Sequence, residues 1–199
     1  MRILPILLSL GLACLLPSCL STTSPATAKA MYLQGIGTAQ GLDDPLGIDT
    51  VSYWDGDNIS GSPSIRIRVN EQKAYFYKGG QLVGVSMISS GKSNHETPRG
   101  TFKIIEKNQN HRSNLYGEIL DASGTVINKD ADITKDKIPP GGKFVGAEMP
   151  YFMRIHGGVG MHTGFLPGYA ASHGCIRMPA KMAMKFFNNV SKGTPVMVE

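Results

Sequence analysis

Residues 172–177 read Ser-His-Gly-Cys-Ile-Arg and contain Cys175, one of only three cysteines in a chain of 199 residues. Three of the five histidines, His156, His162 and His173, lie within 19 residues before this cysteine. A thiol beside imidazoles is suited to nucleophilic acyl transfer, because a neutral imidazole accepts the thiol proton. We therefore expect Cys175 to act as a nucleophile.

The N-terminal residues are typical of an export signal. Arg2 precedes an apolar stretch at residues 3–16 that is too short to span a bilayer as a stable helix. Residues 16–19, Leu-Pro-Ser-Cys, resemble a bacterial lipobox, which implies cleavage before Cys19 and lipidation of that cysteine. We expect residues 1–18 to be a signal peptide, and a lipid anchor to hold the exported protein on a membrane of the bacterial cell envelope, on the periplasmic side. The alternative is a plain secretory signal that is cut further along the chain.

Removal of the signal would leave Cys175 without an intramolecular disulfide partner, because Cys14 is discarded and Cys19 is lipidated. The formal net charge is +5, but the basic residues are dispersed, with no run of five or six like charges. This dispersal argues against a nucleic-acid-binding arm. The 24 glycines and 12 prolines suit a β protein rich in loops better than a helical bundle.

Hydrophobic periodicity predicts where the folded domain begins. We assign residues 19–63 to the lipidated N-terminus, a linker and an extension, and residues 64–199 to the domain. Residues 65–69 alternate apolar and basic side chains, the period of a half-buried strand. Further strands are predicted at residues 74–77, 82–88 and 101–105, with a tight turn at residues 79–80.

The second half of the domain is predicted to be less regular. Residues 106–150 are polar and lack a clear period, which indicates a long connection of the kind that often forms a lid or binding loop. Strand pieces follow at residues 151–155 and 159–161. Pro179 is well placed as the first residue of a helix, and residues 196–198 predict a closing strand.

The residues around Cys175 suggest how the thiol would work. An imidazole is expected to hold it as a thiolate–imidazolium pair, since a free thiol is mostly protonated at pH 7. Gly174 allows a carbonyl to approach the backbone, and the N–H groups of Gly174 and Cys175 are candidates for an oxyanion hole. The following helix would favour the thiolate further through its N-terminal dipole.

The run Ser-His-Gly-Cys-Ile-Arg resembles the active-site signature of the L,D-transpeptidases (the YkuD domain family). Residues 97–102, Thr-Pro-Arg-Gly-Thr-Phe, are similar to a second segment of that family. The resemblance implies a mainly β, β-sandwich-like catalytic domain with one or two short helices. It also implies a peptidoglycan enzyme that acylates Cys175 with a tetrapeptide stem and releases D-alanine. An amine acceptor would give a 3→3 cross-link or an attached protein, and water would give L,D-carboxypeptidase activity.

The same resemblance implies that the proton donor and acceptor is an upstream histidine. Met-His-Thr-Gly at residues 161–164 fits the family pattern, so we favour His162, with His156 as the alternative. Ser172, His173 and Arg177 are expected to orient the loop or bind substrate, because guanidinium groups recognise carboxylates and carbonyls.

Three other interpretations were considered. His156, His162, His173 and Cys175 are suitable zinc ligands by type, but they lack the paired ligand spacing of zinc sites, so we expect no metal and no cofactor. A papain-like peptidase is disfavoured, because its cysteine precedes its histidine in the chain. A non-catalytic wall-binding lipoprotein would not need the intact cysteine and histidines.

Overall fold

The computed structural model describes residues 49–199. The predicted signal peptide, Cys14 and the predicted lipidation site at Cys19 lie outside the described residues. Eleven strands and one α-helix follow in chain order: β1 Tyr53–Trp54, β2 Pro63–Arg68, β3 Lys73–Lys78, β4 Gln81–Met87, β5 Gly100–Lys103, β6 Glu106–Leu120, β7 Val126–Asp132, β8 Lys143–His156, β9 Val159–Thr163, β10 Ile176–Met178, α1 Ala180–Asn189 and β11 Pro195–Val198. Within residues 49–199, no helix has the length and apolar character needed to cross a membrane.

The strands form two mixed sheets that share one hydrophobic core. One sheet has the order β1-β4-β3-β2-β11-β5, and the other has the order β10-β9-β8-β6-β7. Both sheets and α1 contribute buried side chains to the core, among them Ile67, Phe76, Met153, Met161 and Phe186. The predicted mainly β, sandwich-like fold with a short helix is therefore confirmed.

The folded unit also includes residues that precede Ser64. Strand β1 pairs with β4, and Trp54 is fully buried, with its ring 5.0 Å from the Phe76 ring centroid. A Cβ at Gly84 would lie 2.7 Å from the Trp54 ring, so glycine at this position makes room for the indole. The segment assigned to an extension therefore supplies an edge strand and one of the largest core side chains.

The prediction of an irregular connection over residues 106–150 is wrong. This stretch forms all of β6, all of β7 and more than half of β8, which make a long antiparallel ladder. Many side chains of this stretch are exposed, and they lie on both faces of the sheet. A strand with two polar faces lacks the alternation of apolar and polar residues from which strands are recognised.

The chain after Cys175 also differs from expectation. Residues Ile176–Met178 form β10, and α1 begins only at Ala180, directly after Pro179. The predicted helix is confirmed to within one residue, the usual uncertainty of a helix end. Because a strand separates Cys175 from the helix, and dipole effects fade within the first turn, the expected dipole effect on the thiolate is wrong.

Candidate active site

A cavity of about 450 Å³ opens where β9 and the loop before β10 meet the middle of β6 and β8. Cys175, His162, His173, Ser172 and Arg177 all line it, so the fold brings these predicted site residues together. His156 and Gly174 are not among the lining residues. Further wall residues come from β6, β8, the turn between β8 and β9, β9 itself and the loop after it: His111, Ser113, Asn114, Leu115, Tyr116, Ala147, Glu148, Met149, Arg154, Gly158, Val159, Thr163, Gly164 and Phe165.

The register of β9 and β10 explains why the key side chains share one wall. The two strands pair in parallel, with Ile176 opposite Met161 and Arg177 opposite His162. Ile176 and Met161 belong to the buried core. Since side chains alternate along a strand, Arg177 and His162 point away from the core and into the cavity, on the same face as Cys175.

His162 is buried, with only 6% of its surface exposed. Its Nδ1 atom lies 2.7 Å from the carbonyl oxygen of Thr163. Because a carbonyl oxygen only accepts, Nδ1 carries the hydrogen and the neutral ring keeps its lone pair on Nε2. Burial lowers the pKa of His162 to about 4, although the Thr163 hydrogen bond opposes this shift. The ring is therefore a neutral base at physiological pH.

Burial acts on the thiol in the opposite sense and raises the pKa of Cys175. A hydrogen bond from the Gly160 backbone and the charges of Arg154 and Arg177 offset part of this increase. The Sγ atom also lies 3.7 Å from the carbonyl oxygen of Gly158. Both shifts favour a neutral thiol and a neutral imidazole in the same cavity, in contrast to the thiolate–imidazolium pair expected from the sequence.

The turn before Cys175 is held by side chains that bind its backbone. Ser172 Oγ accepts the Gly174 N–H at 3.1 Å and donates to the Cys175 carbonyl oxygen at 2.5 Å. Thr97 Oγ1 donates to the Gly174 carbonyl oxygen at 2.8 Å and accepts the Gly91 N–H at 2.9 Å. Gly174 has φ +108°, a value that L side chains rarely adopt. The Ser172 hydroxyl is therefore occupied by its own loop.

A second layer fixes this loop from behind. The backbone N–H groups of Ala171 and Ser172 donate to the Ser90 carbonyl oxygen, each at 3.0 Å. The Gln72 amide in turn donates to Ser90 Oγ at 2.8 Å and accepts the Ser90 N–H at 2.9 Å. Sequence reasoning missed Gln72 and Ser90, because an isolated amide and hydroxyl carry no pattern that points to a distant loop.

Two arginines place positive charge in the cavity. Arg154 forms an ion pair with Glu106 at 2.7 Å and donates to the Gly157 carbonyl oxygen at 2.9 Å. No ion pair of Arg177 with a carboxylate is found within residues 49–199, and burial lowers the pKa of its guanidinium. The stem of Arg177 lies over Gly164, where a Cβ would approach Arg177 Cγ to 2.8 Å.

His156 lies apart from this arrangement. It ends β8, is exposed, and its ring lies 5.4 Å from that of Phe102. Within residues 49–199, no three His, Cys, Asp or Glu side chains converge as a metal site.

Residues of the polar stretch contribute more to the site than the sequence indicated. His111, Asn114 and Tyr116 line the cavity, although the sequence predicted only an irregular connection over this stretch. His111 stacks on Phe152, with ring centroids 4.2 Å apart, and the Phe152 ring lies 6.2 Å from that of His162. A register irregularity in β6, which a sequence period does not reveal, turns part of this strand toward the cavity.

Comparisons with known proteins agree with this geometry. The L,D-transpeptidase catalytic domain family (YkuD) matches residues 62–198. A mutant L,D-transpeptidase of Enterococcus faecium is similar at 27% identity and a TM-score of 0.51, covering 70% of this chain and 50% of that one. The carbamoyl enzyme that Ldtfm forms with avibactam is similar at 28% identity and a TM-score of 0.51, covering 69% of this chain and 49% of that one.

An L,D-transpeptidase of Stackebrandtia nassauensis shares the fold at 18% identity and a TM-score of 0.54, covering 87% of this chain and 77% of that one. The chain spans about half the length of the Enterococcus protein. No curated protein sequence matches the chain. Since the family match includes β2 to β11 and the whole Cys175 region, the chain belongs to the L,D-transpeptidase catalytic domain family.

Proposed function

We propose that this protein is a peptidoglycan L,D-transpeptidase with Cys175 as its nucleophile and His162 as its proton donor and acceptor. The observation that carries the proposal is the β9–β10 register, which aims His162 and Arg177 into the cavity that Cys175 lines. Family membership supports the reaction class, and the buried neutral imidazole supports the role of a base.

In the first step a tetrapeptide stem enters the cavity as acyl donor. The Sγ atom of Cys175 attacks the carbonyl carbon of the third, diamino-acid residue while His162 Nε2 takes the thiol proton. The bond to the nitrogen of the terminal D-alanine then breaks, and His162 returns the proton to that nitrogen. A concerted proton transfer suits a thiol whose pKa is raised and an imidazole whose pKa is lowered.

In the second step an amine acceptor attacks the thioester. His162 removes a proton from the amine, the new amide bond forms, the C–S bond breaks, and His162 returns the proton to Sγ to regenerate the thiol. An amine from another stem gives a 3→3 cross-link, whereas an amine from a protein gives attachment. Water as acceptor makes the enzyme an L,D-carboxypeptidase.

The backbone of the turn would stabilise the oxyanion formed in each step. The Gly174 N–H is a candidate donor together with the Cys175 N–H, but it already binds Ser172 Oγ. The oxyanion therefore competes with a neutral hydroxyl, and a charged acceptor forms the stronger bond. Gly174 contributes its N–H without a side chain to obstruct the carbonyl.

The cationic side of the cavity would bind a stem carboxylate. Arg177 is the first candidate, because no carboxylate pairs with it among the residues that the structure describes. Arg154 is already paired with Glu106. His173 borders the cavity and contributes to its wall, whereas Ser172 acts through the loop backbone.

The site would work outside the cytoplasm, on the periplasmic side of the cell envelope. Lipidation of Cys19 and removal of residues 1–18 would tether the domain to a membrane, so that stem peptides of the wall are within reach. Intact-mass measurement of the mature protein tests this part, and an unmodified N-terminus beyond Cys19 would contradict it.

Mass spectrometry of muropeptides incubated with the full-length protein tests the activity. We expect release of D-alanine, together with cross-linked, attached or trimmed products according to the acceptor. The Cys175→Ala variant should release none, and avibactam should carbamoylate the wild-type protein but not this variant. Binding to peptidoglycan with no turnover would instead identify a non-catalytic wall-binding lipoprotein.

A further inference from the structure

Strand β6 leaves its regular pairing beside the cavity. Arg112 pairs with Glu148 and Gly117 pairs with Gly146, so four residues on β6 stand opposite one residue on β8. We call the four residues, Ser113 to Tyr116, the β6 bulge. Bulges of this kind occur next to active sites, where they redirect side chains. All four bulge residues line the cavity.

Local contacts fix the shape of the β6 bulge. Ser113 Oγ accepts the N–H groups of Leu115 at 3.2 Å and Tyr116 at 2.9 Å. A Cβ at Gly146 would overlap the Ser113 carbonyl oxygen, so only glycine allows the strands to approach here. Arg112 forms an ion pair with Glu148 and donates to the Gly146 carbonyl oxygen at 3.1 Å. The bulge is therefore a defined structure and not a loose loop.

The β6 bulge places the Tyr116 ring on the turn that carries the nucleophile. Tyr116 and His173 are stacked, with ring centroids 4.3 Å apart and an angle of 15° between the rings. His95 meets the His173 ring edge-on at 4.8 Å and 76°, and lies 6.5 Å from Tyr116. We call His95, Tyr116 and His173 the ring stack. It joins three segments that are distant in the sequence.

We propose that Tyr116 is a positioning residue for Cys175, because its ring holds His173, two residues before the nucleophile, in place through the ring stack. This inference rests on the proposed function. Ser172 and Thr97 hold the backbone of the turn, but neither holds the His173 side chain. Without the ring, His173 and the turn gain freedom, and a small misplacement of a nucleophile is sufficient to slow a reaction strongly.

The pKa of His173 and the NMR shift of its ring protons provide a second readout. Burial lowers the pKa of His173, and the positive charges of Lys92 and Arg177 act in the same direction, whereas Asp130 opposes them. Removal of the Tyr116 ring exposes the imidazole to water. The pKa of His173 should then rise toward its ordinary value, while its ring protons lose the ring-current shift of the stacked tyrosine.

Kinetics of the full-length protein test the inference. Tyr116→Ala should lower kcat for D-alanine release by about tenfold with a smaller change in KM, while Tyr116→Phe, which keeps the ring, should stay within about twofold. His95→Ala removes the other neighbour of His173 and should lower kcat in the same direction. Ile127→Ala is the matched control, since Ile127 is 54% exposed on the neighbouring strand β7 and does not line the cavity.

Two further measurements separate this inference from the proposed function. NMR titration of His173, assigned with His173→Gln, should show the changed shift and pKa in Tyr116→Ala but not in Tyr116→Phe. The rate of carbamoylation by avibactam should fall with kcat, and it remains measurable if the protein releases no D-alanine.

An unchanged kcat and carbamoylation rate in Tyr116→Ala would overturn the positioning role, and so would an equal loss in Tyr116→Phe. A wild-type protein that reacts with avibactam but releases no D-alanine would overturn the proposed function alone. A wild-type protein that does neither overturns both. If Tyr116→Ala does not fold, His95→Ala and Tyr116→Phe decide the question by the same criteria.

Discussion

The hydroxyl oxygen of Ser172 accepts the N–H of Gly174 at 3.1 Å, across the turn that precedes Cys175. The same hydroxyl donates to the Cys175 carbonyl oxygen at 2.5 Å. One buried side chain thus spans the turn on both sides of Gly174, whose φ of +108° is unfavourable for other residues. Ser172 therefore holds the backbone around Cys175 in place.

Removal of this hydroxyl should affect both stability and activity. Ser172→Ala leaves the buried Gly174 N–H and the Cys175 carbonyl without their partner, which should destabilise the protein by about 1–3 kcal/mol. Looser positioning of the nucleophile should lower kcat about tenfold. Urea unfolding and the rate of D-alanine release measure the two effects. Ser172→Thr retains the hydroxyl and is the matched control; a Thr variant as slow as the Ala variant would contradict this role of the hydroxyl.

Substitutions of His162 and His156 should differ strongly in their effect on kcat. His162→Ala removes the buried imidazole that lines the cavity, so kcat should fall by about 100-fold or more, the range for loss of a general base. His156→Ala should stay within about twofold, because His156 is exposed and does not line the cavity. Steady-state kinetics at pH 7 compare the variants, and the opposite ranking would exclude His162 as the base.

Part of this site was readable from the sequence, because its chemistry depends on residues that are close along the chain. Cys175, His162 and Arg177 belong to two short segments, and their shared wall follows from strand alternation and one pairing register. The protonation states of Cys175 and His162 could not be predicted from the sequence. They depend on burial by distant parts of the chain, which opposes charge on both the thiol and the imidazole.

The fold, like the site, could be predicted only where the sequence carries a local pattern. The first strands were predicted because their apolar residues alternate, as do Ile65 and Ile67 in β2. Strand β6 was missed because its exposed polar side chains carry no period, and the β6 bulge depends on Gly146, 33 residues beyond Ser113. Trp54 was assigned to a loose extension because nothing in its neighbourhood is periodic, although it fills the core.

The segment before the family match should be essential for stability. Trp54 is fully buried against Phe76 and Phe186, and its indole Nε1 donates to Asp57 at 2.7 Å. Trp54→Ala should lower the free energy of unfolding by about 3–5 kcal/mol, the range for aromatic residues removed from a core. Trp54→Phe should cost less, because it leaves a smaller cavity. Urea unfolding provides the measurement, and a loss below about 1 kcal/mol in Trp54→Ala would place the tryptophan outside the folded core.

The buried state of His162 predicts a dependence of stability on acid. Burial lowers the pKa of His162 from 6.5 to about 4 in the folded protein, while in the unfolded chain the imidazole has its ordinary pKa. Between these values the unfolded chain binds a proton at this residue that the folded protein excludes. Stability is therefore fully present above pH 6.5 and falls as the pH drops toward 4, by up to about 3 kcal/mol from this residue.

Urea unfolding of the wild-type protein and His162→Gln at pH 7 and pH 4.5 measures this contribution. Since glutamine does not titrate, the variant should lose less stability between the two pH values than the wild-type protein. Comparison with the variant removes the effects of the other acidic and basic groups that titrate in the same interval. His156→Gln should keep the wild-type dependence, because it leaves His162 buried. If the wild-type protein and His162→Gln lose the same free energy of unfolding between pH 7 and pH 4.5, His162 is accessible to protons in the folded state.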